Sequence, residues 1–306
     1  MAKQSRRDFL KWSAVVGGAV AMSGTVSAQA PVNMAIARCK SNPTDLTAAA
    51  VQMTTQAVEA LGGMKRFVKS GDVVWVKPNI GWDRTPELAA NTNPDVVATL
   101  VKLCLAAGAK QVKVGDYSCN KDVKAYPASG IEAAAKAAGA DVIYLDMNRF
   151  REYDVKGKIL KKWPVYPEIA EADLAINCPI VKHHSLATMT ACMKNYMGIC
   201  DNRQKWHQNI PQCLCDITRF MQPKARLCVL DAIRILTANG PTGGDPKDVK
   251  QLNTLAAGTD IVALDAWGAE LLGHKPADIS SIAAGHAEGL GTMDYRSLSP
   301  KEIEIA

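Results

Sequence analysis

The spacing of apolar residues changes several times along this chain, and each change marks an element. Val32–Ala37 is a short apolar run that predicts a first strand, after which residues 46–61 take helical spacing and stop at Gly62-Gly63. Val73–Val76, behind the turn pair Gly71-Asp72, predicts a buried strand. A helix is expected from Pro94 to Ala107. Its Val97, Leu100, Val101, Cys104 and Leu105 fall on one face, Asn93 can cap it, Pro94 suits its first turn and Gly108 its end. Val112–Val114 reads as the next strand, and Ser129 and Glu132 have the spacing of a capping box for a helix ending near Gly139. Further strands are expected at 142–145, 174–178 and 227–230, and an amphipathic helix from Ile261 to Leu272 closed by Gly273. The stretch 147–168 is denser in charge, Trp and Pro, and reads as an insertion or hairpin. Strands alternating with helices imply right-handed crossovers, hence an α/β fold with a mostly parallel, doubly wound sheet.

The first residues break this pattern. Ser5-Arg6-Arg7-Asp8-Phe9-Leu10-Lys11 carries an arginine pair followed by Phe-Leu-Lys, and an apolar run rich in Ala, Val and Gly extends from Trp12 to Val26. That run is too short and Gly-rich for a spanning helix, which needs about 20 apolar residues. Val26-Ser27-Ala28 is a small-x-small cleavage site before Gln29. Residues 1–28 therefore read as a twin-arginine signal peptide, with 29–306 as one α/β domain. The reading implies the Tat export machinery as a partner, a periplasmic destination, and no stable membrane insertion after cleavage. The twin-arginine route carries proteins folded before crossing, often with a cofactor loaded, so a bound metal or organic cofactor is expected.

Charge narrows the partners. Four of the 36 Lys and Arg and one of the 30 Asp and Glu lie in the signal, which leaves the mature chain at +3. So mild an excess gives no support to a nucleic-acid partner. The nine cysteines are odd in number, so at least one thiol is left over, and there is no C-x-x-C pair or haem-attachment site. Cys104 and Cys228 sit in apolar patterns that predict core positions. Cys192, Cys200, Cys213 and Cys215 cluster in a stretch that reads as polar. An iron–sulfur centre would need four of Cys178, Cys192, Cys200, Cys213 and Cys215 to converge; buried thiols or one disulfide is the simpler expectation.

In open α/β sheets a ligand sits beyond the carboxyl ends of the strands. Lys77-Pro78-Asn79 follows Val73–Val76, Gly115-Asp116 follows Val112–Val114, and Asp231 follows Leu227–Leu230. After 174–178 come Pro179 and then Lys182-His183-His184. His183, His184, Lys182 and Lys194 are the candidate catalytic groups, since imidazole is the usual acid–base at neutral pH and a buried lysine can become one. Adjacent residues of an extended chain point apart, so one of the two histidines is expected to face the site. Lys77, Asn79 and Asn195 are candidates for binding an anionic small molecule, together with Gly240, Thr242 and Gly243 of the glycine-rich loop Asn239–Gly244. That loop lacks the lysine and spacing of a P-loop. Asp116, His207 and Asp231 are the candidate ligands for a divalent or transition metal.

Taken together, these blocks resemble the domain-of-unknown-function 362 family, in its twin-arginine-exported branch. The resemblance covers most of the mature chain. It runs through Lys77-Pro78-Asn79, Gly115-Asp116, Asn177-Cys178-Pro179 with Lys182-His183-His184, and Lys194-Asn195-Tyr196-Met197-Gly198. It continues through Asn239–Gly244, Gly258-Thr259-Asp260 with Asp265, and Gly289-Leu290-Gly291. Some relatives carry ferredoxin-type four-cysteine motifs, which this chain lacks. A fainter resemblance is to the nickel-pincer lactate racemases, which place a His after a strand of this kind and a Lys a few turns later, as His184 and Lys194 stand here. The glycine-rich stretch of those racemases is replaced by Ala187–Met193. The expectation is a metal- or cofactor-dependent enzyme acting on a small anionic substrate by proton abstraction, isomerisation or redox chemistry. The alternatives are a non-catalytic metal- or cofactor-binding or metalloenzyme-maturation protein, and an iron–sulfur electron carrier. An enzyme requires a His or Lys of shifted pKa within reach of its ligand; a binding protein requires only donors.

Overall fold

A computed structural model describes residues 32–306; the segment read as a signal peptide lies outside the described residues. The chain runs β1 (Met34–Cys39), α1 (Leu46–Ala60), β2 (Val73–Pro78), α2 (Pro94–Ala107), β3 (Gln111–Val114), α3 (Asp122–Ala128), α4 (Ile131–Ala138), β4 (Asp141–Val142), β5 (Arg151–Asp154), β6 (Lys162–Val165) and α5 (Pro167–Ala170). It continues through β7 (Leu174–Cys178), β8 (Ile180–His184), β9 (Thr188–Thr190), α6 (Cys192–Asn195), α7 (Ile210–Met221), β10 (Leu227–Leu236), β11 (Val249–Gly258), α8 (Ile261–Leu271), α9 (Ser280–Ala287) and β12 (Lys301–Ile305).

The main sheet has the order β12-β1-β11-β10-β7-β2-β3-β4, with β8 pairing to β10 and β9. Contacts of β2 with β3 and β7, of β10 with β7 and β8, of β3 with β4 and of β1 with β12 are parallel. β11 is antiparallel to both its neighbours, and β9 to β8. Because successive side chains of a strand face opposite ways, the sheet divides the core in two. Met34 and Ile36 of β1, Trp75 of β2, and Cys228 and Leu230 of β10 enter one apolar cluster with α7, α8 and α9. Ala35 and Ala37, Val74 and Val76, and Leu227 and Val229 enter the other, with α1, α2 and α4. Helices on both faces make the sheet doubly wound. No described helix is long and apolar enough to cross a membrane.

Local chemistry explains the boundaries. Asn93 Oδ1 accepts from Asp95 N and Val96 N to open α2, and Gly108 ends it at φ 107°. β5 and β6 form a separate antiparallel hairpin inside the charged stretch 147–168. Three expectations need correction. The strand expected over 142–145 stops at Val142, because β4 is a sheet edge with β3 as its single partner among the described residues; one further bond, Ile143 N to Val114 O, continues the ladder. The capping box does not form. Gly130 occupies the cap of α4, Ser129 Oγ accepts from Ile131 N, and Glu132 is drawn to Lys136 and the Tyr144 hydroxyl. Finally, β10 does not end at Leu230 but continues to Leu236 as a hairpin with β11, which leaves Asp231 inside a strand.

Candidate functional site

A cleft of about 410 Å³ opens where the parallel strands end. β8 shows how sequence places its groups. With a period of two, Lys182 and His184 share one side of the strand and both line the cleft, while His183 faces away. His183 Nδ1 accepts a hydrogen bond from Gly240 N at 3.0 Å instead. Lys77, Asn79 and Asp116 reach the same cleft from β2 and from the turn after β3. Lys194 and Asn195 come from the short helix α6, and His207, exposed, from the short 3₁₀ helix Arg203–Gln208.

An unbroken polar network forms the floor. Lys77 Nζ lies 2.6 Å from Asp116 Oδ1, off the line of a good hydrogen bond, and donates to Asn195 Oδ1 and Pro78 O. Asp116 Oδ2 accepts from Ile80 N. Asn195 Oδ1 also accepts from Asn79 Nδ2, and Asn195 Nδ2 donates to Asn177 Oδ1 and the Lys77 carbonyl. Asn79 Oδ1 in turn accepts from Lys182 Nζ, which also donates to Ala90 O at 2.5 Å and more weakly to Pro241 O. Behind this floor Asp265 of α8 accepts from Cys192 N and Met193 N, and so holds the first turn of α6.

Ionisation in the cleft follows from burial and crowding. Burial pushes the Lys182 amine down to about 7 and the Lys194 amine to about 8, with neighbouring cations adding to both effects. Lys77 is lowered by burial and partly restored by Asp116. His184 is pushed down to about 3, first by burial and then by Lys194 and Lys182. Its Nδ1 accepts from both Leu186 N (3.1 Å) and Ala187 N (3.2 Å). A ring nitrogen that accepts cannot carry a proton, so the neutral ring bears its hydrogen on Nε2, which has no partner among the described residues.

Several candidates lie elsewhere. Asp231 does not line the cleft: its oxygens accept from Asn93 N and Ile233 N, and burial raises its carboxyl to about 6. It looked like a strand-end carboxylate because its charge interrupts the apolar run, but its work is to hold the start of α2 against β10. Gly240, Thr242 and Gly243 also stand outside the lining, where their loop contributes Pro241 alone. The expected metal set of Asp116, His207 and Asp231 is therefore not assembled, and among the described residues no three His, Cys, Asp or Glu side chains converge as metal ligands. The stretch holding Cys192, Cys200, Cys213 and Cys215 is not polar in the fold. All four are buried in the apolar cluster with α7–α9, and all nine cysteines are free.

The sequence reading did not single out Arg203, Tyr117, Trp82 or Cys119, which line the cleft too. The Arg203 guanidinium lies 4.2 Å from the Tyr117 ring centroid and donates to Tyr117 O and Ser118 O, with Cys119 Sγ at 3.6 Å. The available signal was position alone, a few residues after Lys194–Gly198.

Fold and cleft together define an α/β protein with a ligand-sized, cation-lined cleft at the carboxyl ends of its strands. Residues 74–270 match the family described as domain of unknown function (DUF362), and residues 3–23 match the twin-arginine translocation (TAT) pathway signal sequence. The chain belongs to the DUF362 family and carries an export signal. A thylakoid-associated protein of Synechocystis sp. is 31% identical over 262 residues, covering 81% of this chain and 79% of that protein. Among solved structures, the lactate racemase apoprotein of Thermoanaerobacterium thermosaccharolyticum superposes with a TM-score of 0.49 at 12% identity, over 79% of this chain and 57% of that one. A protein of Thermotoga maritima does so at 0.44 and 12% identity, over 74% of this chain and 59% of that one. This chain thus spans a little over half the length of those two structures.

Proposed function

We propose that the mature protein is a periplasmic enzyme that binds a small anionic molecule in this cleft and transfers a proton at it. The observation that supports the reading is the balance of charge. Lys77, Lys182, Lys194 and Arg203 line the cleft against one carboxylate, Asp116, which is already committed to Lys77. Anions fill such a surplus, and the low dielectric strengthens the attraction. Lys194 is the group that carries the proton. Its only hydrogen bond among the described residues is a weak one to Met197 Sδ at 3.5 Å, and an amine brought down to about 8 suits acid–base exchange. His184 acts as a fixed neutral donor, offering Nε2–H to an oxygen on which charge develops. The expected metal dependence draws no support from the donor set, because Asp116 is committed to Lys77 and Asp231 to the backbone at α2 and β10.

Calorimetric titration of the mature protein with small carboxylates and methyl phosphate tests the reading. Binding is expected, with an affinity loss of about tenfold or more in Lys194→Ala, as for a charged partner removed. Solvent deuterium should enter a bound carboxylate at the carbon next to its carboxyl group, and should do so no longer in Lys194→Ala. If none of these anions binds, the reading is wrong.

A further inference from the structure

We infer that the ligand of this cleft carries at least two negative charges, as a compact dicarboxylate or phosphate monoester does. The inference rests on the anion-binding reading above and adds the charge of the ligand. Elsewhere on the described surface, basic side chains commonly meet carboxylates: Arg38 with Glu302, Lys113 and Arg149 with Glu168, Arg296 with Glu270. In the cleft, Lys182, Lys194 and Arg203 have no carboxylate within ion-pair distance among the described residues. Lys77 and Asp116 cancel each other, and His184 is held neutral by the two N–H groups on its Nδ1. The surplus is three positive charges inside one small cavity below about pH 7, and between two and three near neutrality, where Lys182 begins to lose its proton.

The three cations are not equivalent, and that decides how they act. Lys182 is almost completely buried and its hydrogens go to Asn79, Ala90 and Pro241. Arg203 spends its N–H groups mainly on the carbonyls of Tyr117 and Ser118. These two supply positive field more than direct contacts. Lys194 Nζ and His184 Nε2–H remain to bond the ligand directly. One negative group satisfies those two donors but leaves most of the field unbalanced. A second negative charge placed in the same cavity is attracted by Lys182 and Arg203 and opposed by no free carboxylate, so Coulomb energy favours it strongly at short range in a half-buried medium. The cations also disfavour one another, with Lys194 and Lys77 lowering Lys182, and Arg203 and Lys77 lowering Lys194. A multivalent anion relieves this crowding.

The test compares acetate and propionate with malonate, succinate and methyl phosphate, titrated calorimetrically into the mature protein at fixed low ionic strength. Dianions should bind at least about tenfold tighter than monoanions of similar size, and the advantage should shrink as salt is added. The dicarboxylates and the phosphate ester are separate arms, and the tighter one identifies the source of the charge. Arg203→Gln should weaken dianions by about tenfold and monoanions by much less. The affinity ratio in the unaltered protein stands independently, should that variant fold poorly. Equal affinity for monoanions and dianions overturns this inference while leaving the anion-binding reading intact. Absence of all anion binding overturns both.

Discussion

Lys77 Nζ and Asp116 Oδ1 lie 2.6 Å apart with side chains 1% and 2% exposed, and this buried ion pair ties the end of β2 to the turn after β3 beneath the cleft. Buried pairs contribute little net stability when whole, but removing one partner strands a charge. Asp116→Ala should therefore cost about 3–5 kcal/mol in urea unfolding, whereas the double variant Lys77→Met with Asp116→Leu should cost much less. Equal losses in the two proteins would show that the charge is not what makes the single variant unstable.

Gly198 exists because of that pair. A Cβ there would stand 1.9 Å from Asp116 Oδ1 and 2.6 Å from Lys77 Nζ, while the Gly198 carbonyl accepts from Tyr117 N. Gly198→Ala must push the ion pair aside. About 1–3 kcal/mol of stability should be lost, as in other overpacked interiors, together with anion affinity. Unchanged melting and unchanged affinity would mean that the floor of the cleft yields freely.

Much of this arrangement is visible in the sequence, because topology does the gathering. Lys77 and Asp116 follow strands whose apolar patterns are legible, Lys182 and His184 lie just beyond another, and a parallel sheet delivers such ends to one edge; the short strand β8 and helix α6 that carry Lys182, His184, Lys194 and Asn195 are not themselves legible. The split between His183 and His184 follows from strand periodicity alone. Asp231 misleads because a charge inside a strand looks like the end of one until the partner strand β11 is known. Arg203 leaves no trace in the pattern: it is placed by a short 3₁₀ helix and by the Tyr117 ring, and both are products of tertiary contact.

Asp265 should make stability fall as pH rises. It is buried in α8, accepts from Cys192 N and Met193 N, and burial raises its carboxyl to about 7 despite those bonds. A folded pKa above the unfolded value of about 4 means that its contribution is complete below about pH 4 and is lost as pH rises through about 7. Asp265→Asn removes this dependence. The unfolding free energy of the Asn variant, relative to the unaltered protein, should move in the variant's favour by about 1.4 kcal/mol per pH unit across that window. Asp231, raised to about 6, acts in the same direction in both proteins and cancels from the difference. Parallel pH profiles for the two proteins would show that Asp265 keeps its unfolded pKa in the folded protein.

His184 should behave as a donor that does not titrate. Its Nδ1 is occupied by the N–H groups of Leu186 and Ala187 in the turn between β8 and β9, so protonating the ring would set a hydrogen against two others. Burial and the nearby lysines act the same way and push the ring down to about 3. Nitrogen NMR of labelled protein should show one neutral Nε2–H tautomer, constant from about pH 5 to about pH 8, where a free histidine would titrate near 6.5. His184→Asn separates the two functions of the ring, since the Asn oxygen can still accept from the turn while nothing reaches the position of Nε2–H. That variant should keep its fold and lose about tenfold in anion affinity, whereas His184→Ala should also lose about 1–3 kcal/mol of stability from the stranded N–H groups. Affinity should then depend on pH through the lysines and not through His184. It should fall as pH rises through about 7 and then about 8, where first Lys182 and then Lys194 gives up its proton and the ammonium forms that attract the anion disappear. A ring that titrates across about pH 6 to 7 would assign a proton to His184 and overturn the donor role.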